Sequence, residues 1–214
     1  MYFELNDQTG QLKEEKTKFF DTEIKCIDIA EVAEGRKRAK FLAVGFADST
    51  FKILSLEPES CLQKISVQVL ENPPESICFM YVPDLDVFYL HVGQQNGVLV
   101  KSQIDTITGS ISDTRQEFLG ARSVRLTKIQ IQRQEAVIAI SSKNHLCFNH
   151  MGKYKCVPLS YGMLNHVAPL ISERCQEGGM VVIAENSLRI IRIEKLGEQF
   201  TQSQLHTRYT PCKL

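Results

Sequence analysis

The sequence predicts an all-β protein: a partial β-propeller of four four-stranded blades preceded by a strand pair. Three observations predict it. First, residues 41–56 (FLAVGFADSTFKILSL) read as two apolar strands around a small, Asx-bearing turn. Second, this hairpin recurs at 87–104, 136–151 and 179–194, with Asp48, Asn96, Asn144 and Asn186 at the turns, 48, 48 and 42 residues apart. Third, a period of 40–50 residues made only of strand-like segments is the mark of a propeller.

Taken in order, Tyr2–Leu5 and 12–20 read as the third and fourth strands of a leading part-blade, about residues 1–22. The first full blade, 23–70, has strands near 24–32, 40–46, 50–56 and 62–69. The second, 75–119, has them at 76–82, 87–93, 97–104 and 111–118. The third, 123–160, follows at 123–131, 135–141, 145–150 and 154–159. The fourth, 164–208, completes the series at 165–172, 179–184, 187–194 and 200–207. Thr9-Gly10 and Thr108-Gly109 occupy matching turns between third and fourth strands, where glycine allows positive φ. Antiparallel alternation then puts the four Asx turns on one face and these glycine turns on the other. Residues 29–40 are the best helical candidate, but Gly35 interrupts them and they read as a charged loop. Residues 175–179 and the Pro73-Pro74 region read as turns between blades. The phase leaves an open edge at each end, so the expectation is a segment of a longer multi-propeller protein.

Composition narrows the function. Lys and Arg number 25, Asp and Glu 25, so broad electrostatic binding to nucleic acid is disfavoured. The N-terminal residues lack the basic start and apolar core of a signal peptide, and the expectation is a cytosolic or nuclear chain. No apolar run approaches the ~18 residues of a transmembrane helix, and no membrane partner is expected. The cysteines are seven, an odd number with no Cys-x-x-Cys spacing, and read as buried hydrophobes or free thiols.

Few residues suggest chemistry. Arg36, Lys37, Arg38 and Lys40 form the only dense basic cluster, a candidate interaction loop offset by Glu31 and Glu34. His145 and Cys147 share a strand face, but His150 falls on the other parity, which is poor geometry for zinc. Asn96-Gly97 is a hairpin signal and opens no helix, so it is not a phosphate loop. Asp113, Thr114, Arg115 and Glu117 read as solvent-facing residues of an outer strand. The inner strands show no converging titratable pair of the kind catalysis needs. No catalytic residue, metal, cofactor or small-molecule substrate is expected.

The order and spacing of several segments resemble a family of triple-propeller scaffolds. They include Arg38–Gly45, Gln95–Leu99, Thr108–Arg115, Gln134–Ser142, Pro158–Tyr161, Leu188–Ile190, Glu194–Gly197 and Tyr209–Pro211. The family includes the third subunit of splicing factor 3b, damaged-DNA-binding protein 1 and the large subunit of cleavage and polyadenylation specificity factor; the splicing branch is the most similar. The resemblance implies the later part of a second propeller, in a nuclear, non-enzymatic scaffold of the U2 small nuclear ribonucleoprotein. It implies other splicing factor 3b subunits as partners, among them the helical-repeat subunit, with RNA contact indirect at most. The alternative within the family is an adaptor of a cullin-type ubiquitin ligase. No binding residue carries over.

Overall fold

A computed structural model describes residues 2–5, 9–32, 35–173 and 175–193. Apart from two 3₁₀ turns, Pro58–Ser60 and Pro83–Leu85, its regular structure is strand. A leading pair, β1 (Tyr2–Leu5) and β2 (Leu12–Lys16), is followed by three four-stranded sheets. The first blade holds β3 (Ile24–Ile29), β4 (Phe41–Phe46), β5 (Thr50–Ser55) and β6 (Lys64–Val69). The second holds β7 (Pro74–Val82), β8 (Val87–Gln94), β9 (Val98–Ile104) and β10 (Ile111–Phe118). The third holds β11 (Arg125–Ile131), β12 (Gln134–Ile140), β13 (His145–His150) and β14 (Lys153–Pro158). The last holds β15 (His166–Ser172), β16 (Cys175–Ala184) and β17 (Ser187–Ile191). The fourth strand expected at 200–207 lies outside the described residues. Every sheet is an antiparallel meander, and the sheets do not close a ring among the described residues.

The period-2 pattern of each central strand explains the stacking, because both faces of an inner sheet must be covered. In β4, Phe41 and Ala43 face the second blade, packed with Phe51, Ile53, Phe79 and Phe88. Val44 and Phe46 face the other way and pack with Leu54, Leu56, Tyr2 and Phe20. A third cluster joins the second and third blades through Met80, Tyr89, Val137 and Cys147. A fourth joins the third and last through Ile138, Phe148, Met180 and Val182. The first strands of successive blades adjoin: β3 packs on β7, β7 on β11, and β11 on β15.

Two expectations need correction. Residues 175–179 are not a turn between blades. Ser172 pairs with Cys175, so the β15–β16 ladder extends past a bulge, and Gly178 at φ +91° passes close to the third blade. A Cβ there would lie 2.1 Å from the Gln130 carbonyl oxygen. The hairpin alignment also slips at Asn144. Gly45 pairs with Phe51 and Gly93 with Leu99, centring those loops on Asp48 and Asn96. In the third blade Ala139 pairs with His145, so the loop centres on Ser142 and Asn144 falls two residues later.

Candidate interaction surfaces

At the Asx end, the side chains do different jobs. Asp48 Oδ1 accepts the Thr50 N–H at 3.1 Å and the Thr50 hydroxyl at 2.6 Å, and Asn96 Oδ1 accepts the Val98 N–H at 3.2 Å. These are Asx turns, which close the backbone locally. The Thr50 hydroxyl is also the main reason that the Asp48 carboxyl titrates below its usual value. Asn144, displaced by the register slip, is buried and donates Nδ2 to the carbonyls of Tyr161 (3.5 Å) and Gly162 (2.9 Å). It therefore ties the third blade to the connection into the last. Asn186 sits in a two-residue turn between Ala184 and Ser187, closed by the Ser187 hydroxyl on the Ala184 carbonyl at 2.8 Å.

At the opposite end, Gly109 has φ +71°, and its turn nests against the first blade. A Cβ would meet Phe41 at 2.8 Å and Ile65 at 3.1 Å. Asp105 Oδ1 braces this turn through the N–H groups of Ile107 (3.0 Å) and Thr108 (2.6 Å), which hold its carboxyl below the usual range together with the Thr108 hydroxyl. Gly10 has φ +66° with open space where a Cβ would go. The basic loop lies on this end. Lys40 Nζ donates to the carbonyls of Thr106 (3.0 Å) and Ile107 (2.7 Å), a strut across the blade seam. Arg36 pairs with Glu57, and Arg38 lies near Glu15. Lys37 is exposed. A cavity of about 60 Å³ among Glu31, Arg36, Arg38, Lys40 and Asp86 is small and of mixed charge. The loop's cations are thus largely answered within the chain, which does not make a row of phosphate contacts.

Strands β3, β11 and β12 do bring titratable groups together, onto backbone groups and one another and not as a pair of the kind catalysis needs. Strand β7 has a free edge beside its pairing with β8, and buried free N–H groups need partners. Asp28 Oδ2 of the first blade accepts the Phe79 N–H at 2.7 Å. Glu135 Oε2 of the third blade accepts the Tyr81 N–H at 2.7 Å, while its Oε1 pairs with Lys128 Nζ at 3.3 Å. The Ser76 hydroxyl donates to the Val124 carbonyl at 2.7 Å and accepts the Leu126 N–H at 3.1 Å. Burial pushes both carboxyls, Asp28 and Glu135, above their usual values. Sequence reading missed these residues. Asp28 stands between Ile27 and Ile29, whereas Glu135 follows the polar stretch Gln132-Arg133-Gln134, and neither setting names a distant partner.

A groove of about 590 Å³ opens between the outer strands of the second and third blades. Its floor is Lys101, whose ammonium sits 4.8 Å from the Tyr89 ring centroid and 4.7 Å from that of Tyr154. Rings attract a cation through their negative faces. Asp113, held at φ +42° in a bulge of β10, pairs with Lys101 (3.4 Å) and Arg115 (3.0 Å). Asp113 and Arg115, read from sequence as solvent-facing, therefore line a groove wall. Behind Tyr154, the fully buried His91 accepts or donates at 2.9 Å to the Tyr154 hydroxyl, and burial pushes its pKa down to about 3. The His145 and Cys147 pair does not converge: His145 Nδ1 lies 3.2 Å from the Lys143 carbonyl, and Cys147 donates to Cys156.

A family model described as the RSE1/DDB1/CPSF1 second beta-propeller matches residues 1–193. The chain belongs to that family. Among curated relatives, splicing factor 3B subunit 3 of Danio rerio is 40% identical over 226 residues, with all of this chain covered. Spliceosome-associated protein 130 A of Arabidopsis thaliana is 42% identical over 223 residues, and pre-mRNA-splicing factor RSE1 of Pyricularia oryzae 40% over 222. The chain spans 18% of the length of each. Among solved structures, two crystal structures of BBS1N in complex with ARL6DN contain similar chains, with TM-scores of 0.55 and 0.56 at 18% identity. They cover 84% and 87% of this chain and 55% and 56% of the matched ones. That likeness concerns the fold alone.

Proposed function

We propose that this family member is a non-catalytic interaction scaffold in pre-mRNA splicing, working in the nucleus within the U2 small nuclear ribonucleoprotein. Its partners are other splicing factor 3b subunits, including the helical-repeat subunit, and any RNA contact is indirect. The observation that carries this reading is the match over 99–100% of the chain, at 37–42% identity, to proteins named as splicing factors from animals and fungi and as a spliceosome-associated protein from a plant. The site chemistry supports it. The buried charges each answer a backbone group or an opposite charge across a blade seam, and so stiffen the assembly instead of meeting at a reacting atom. A stiff set of blades offers wide rims, which suit a scaffold.

The test is affinity capture of the tagged protein from its own cells, followed by identification of what co-purifies. Splicing factor 3b subunits are expected. Capture of a cullin with no splicing subunit would overturn the reading in favour of a ligase adaptor.

A further inference from the structure

We propose that Cys147 and Cys156 form a reversible dithiol–disulfide site on the wall of the rim groove, with peroxide as the oxidant class. The two residues are direct cross-strand partners in β13 and β14. The hairpin loop between His150 and Lys153 has two residues, so His150–Lys153 is a hydrogen-bonded pair. Alternation from there makes Cys147–Cys156 a non-hydrogen-bonded pair, as it does Asn149–Tyr154. Such pairs hold their Cα atoms ~4.5 Å apart, inside the ~4.4–6.8 Å range that a disulfide spans. The sulfurs already lie 3.4 Å apart. Closing to a bond of ~2.05 Å needs rotation of the side chains and leaves the strand ladder in place.

Access sets the order of events. Cys156 is half-buried and lines the groove of about 590 Å³, whereas Cys147 is fully buried behind it. The Cys156 thiolate attacks one peroxide oxygen. The O–O bond breaks, Cys156 becomes a sulfenic acid, and the departing hydroxide takes up a proton from solvent, replacing the one released when the thiol ionised, to become water. The Cys147 sulfur then attacks the Cys156 sulfur. The S–O bond breaks, the leaving hydroxide takes the Cys147 proton and departs as a second water, and the disulfide forms. Two thiols lose two electrons and two protons, and one peroxide becomes two waters. The adjacent Cys147 sulfur, together with burial, pushes the Cys156 thiol well above its ordinary range. Thiolate is therefore scarce at neutral pH, and oxidation is slow there and accelerates as pH rises.

The experiment treats the whole chain with graded hydrogen peroxide, blocks remaining thiols, and maps linked peptides without reduction. A Cys147–Cys156 linked peptide is expected, lost on adding dithiothreitol and formed faster at higher pH. Cys147→Ser is expected to leave a sulfenic acid on Cys156 that a dimedone probe captures. Cys78 provides the internal competitor, because it shares a packed cluster with Cys147. A Cys78–Cys147 link, links only between chains, or over-oxidation of Cys156 with no link would each overturn the proposal. Mapping of the unmutated chain decides this whether or not the variant folds.

Discussion

Substituting Gly97 by alanine tests the blade seam where the Asx end of the second blade meets the connection to the third. Gly97 has φ +83°, a region that costs an alanine ~1 kcal/mol. Sterics add to this. The new Cβ would lie 1.6 Å from the Gly120 carbonyl oxygen and 3.0 Å from that of Arg122. Neither neighbour is the end of a flexible side chain, so backbone must move, at ~1–3 kcal/mol. The same shift pulls on the 2.9 Å bond from the Leu119 N–H to the Gly97 carbonyl, worth ~1 kcal/mol. The sum is roughly 3–5 kcal/mol. Gly152→Ala is the matched control, with φ +73° and open space around its Cβ, and should cost only the ~1 kcal/mol of conformation. Urea unfolding followed by circular dichroism should show a midpoint drop several times larger for Gly97→Ala at similar slope. Equal losses for the two variants would refute the packed seam and leave only a turn effect.

Glu135→Ala should destabilise by ~3 kcal/mol, because it strands the Tyr81 N–H and the Lys128 ammonium, while Glu135→Gln keeps an acceptor and should recover part of that in the same unfolding assay. Lys40→Ala removes two carbonyl contacts at a half-buried strut and should cost ~1 kcal/mol, with faster proteolysis at the 105–110 turn as the local readout. Acid should weaken the fold through His91, whose folded pKa of about 3 lies below the ordinary 6.5. Its contribution is complete above 6.5 and falls by up to ~1.4 kcal/mol per pH unit as pH drops towards 3. Asp28 and Glu135 act in the opposite sense, since their raised values make stability complete below 3.8 and 4.5 and lost as pH rises through the folded values. His91→Phe should therefore flatten the stability–pH curve just below 6.5, and an unchanged slope in the variant would remove His91 as its cause.

The blades were legible because their signals are local. The short apolar run Phe41–Phe46 and the Asx turns at Asp48 and Asn96 each act within about six residues, and they mark the strands and joints directly. Asn144 shows where that logic stops. It matches the repeat in spacing, yet the Ala139–His145 register moves it off the turn, and its amide is used across a seam instead. The seams themselves were not legible. Asp28 meets the N–H of Phe79, 51 residues away, and Glu135 meets that of Tyr81, 54 away. Nothing in either local run announces such a partner. An acid between two isoleucines reads equally well as a solvent-facing residue of an edge strand.

This division bears on which surfaces of the blades carry charge that is free to rearrange. A side chain that closes a seam is costly to release, since removing it leaves a buried group unmatched. Asp28, Ser76, Glu135 and Asn144 are committed in that way, and Lys40 and Arg36 are engaged at the basic end. The groove between β10 and β14 differs. Arg115 is largely exposed and held only by Asp113, on an outer strand whose bulge keeps it from pairing evenly. Lys153 lines the same groove from the other wall. Exchanging an exposed ion pair for a partner's charge costs little, because such pairs are worth ~1 kcal/mol or less. The rim between the second and third blades therefore combines available charge with a walled groove, whereas the basic loop picked out by sequence composition has most of its charge already engaged within the chain.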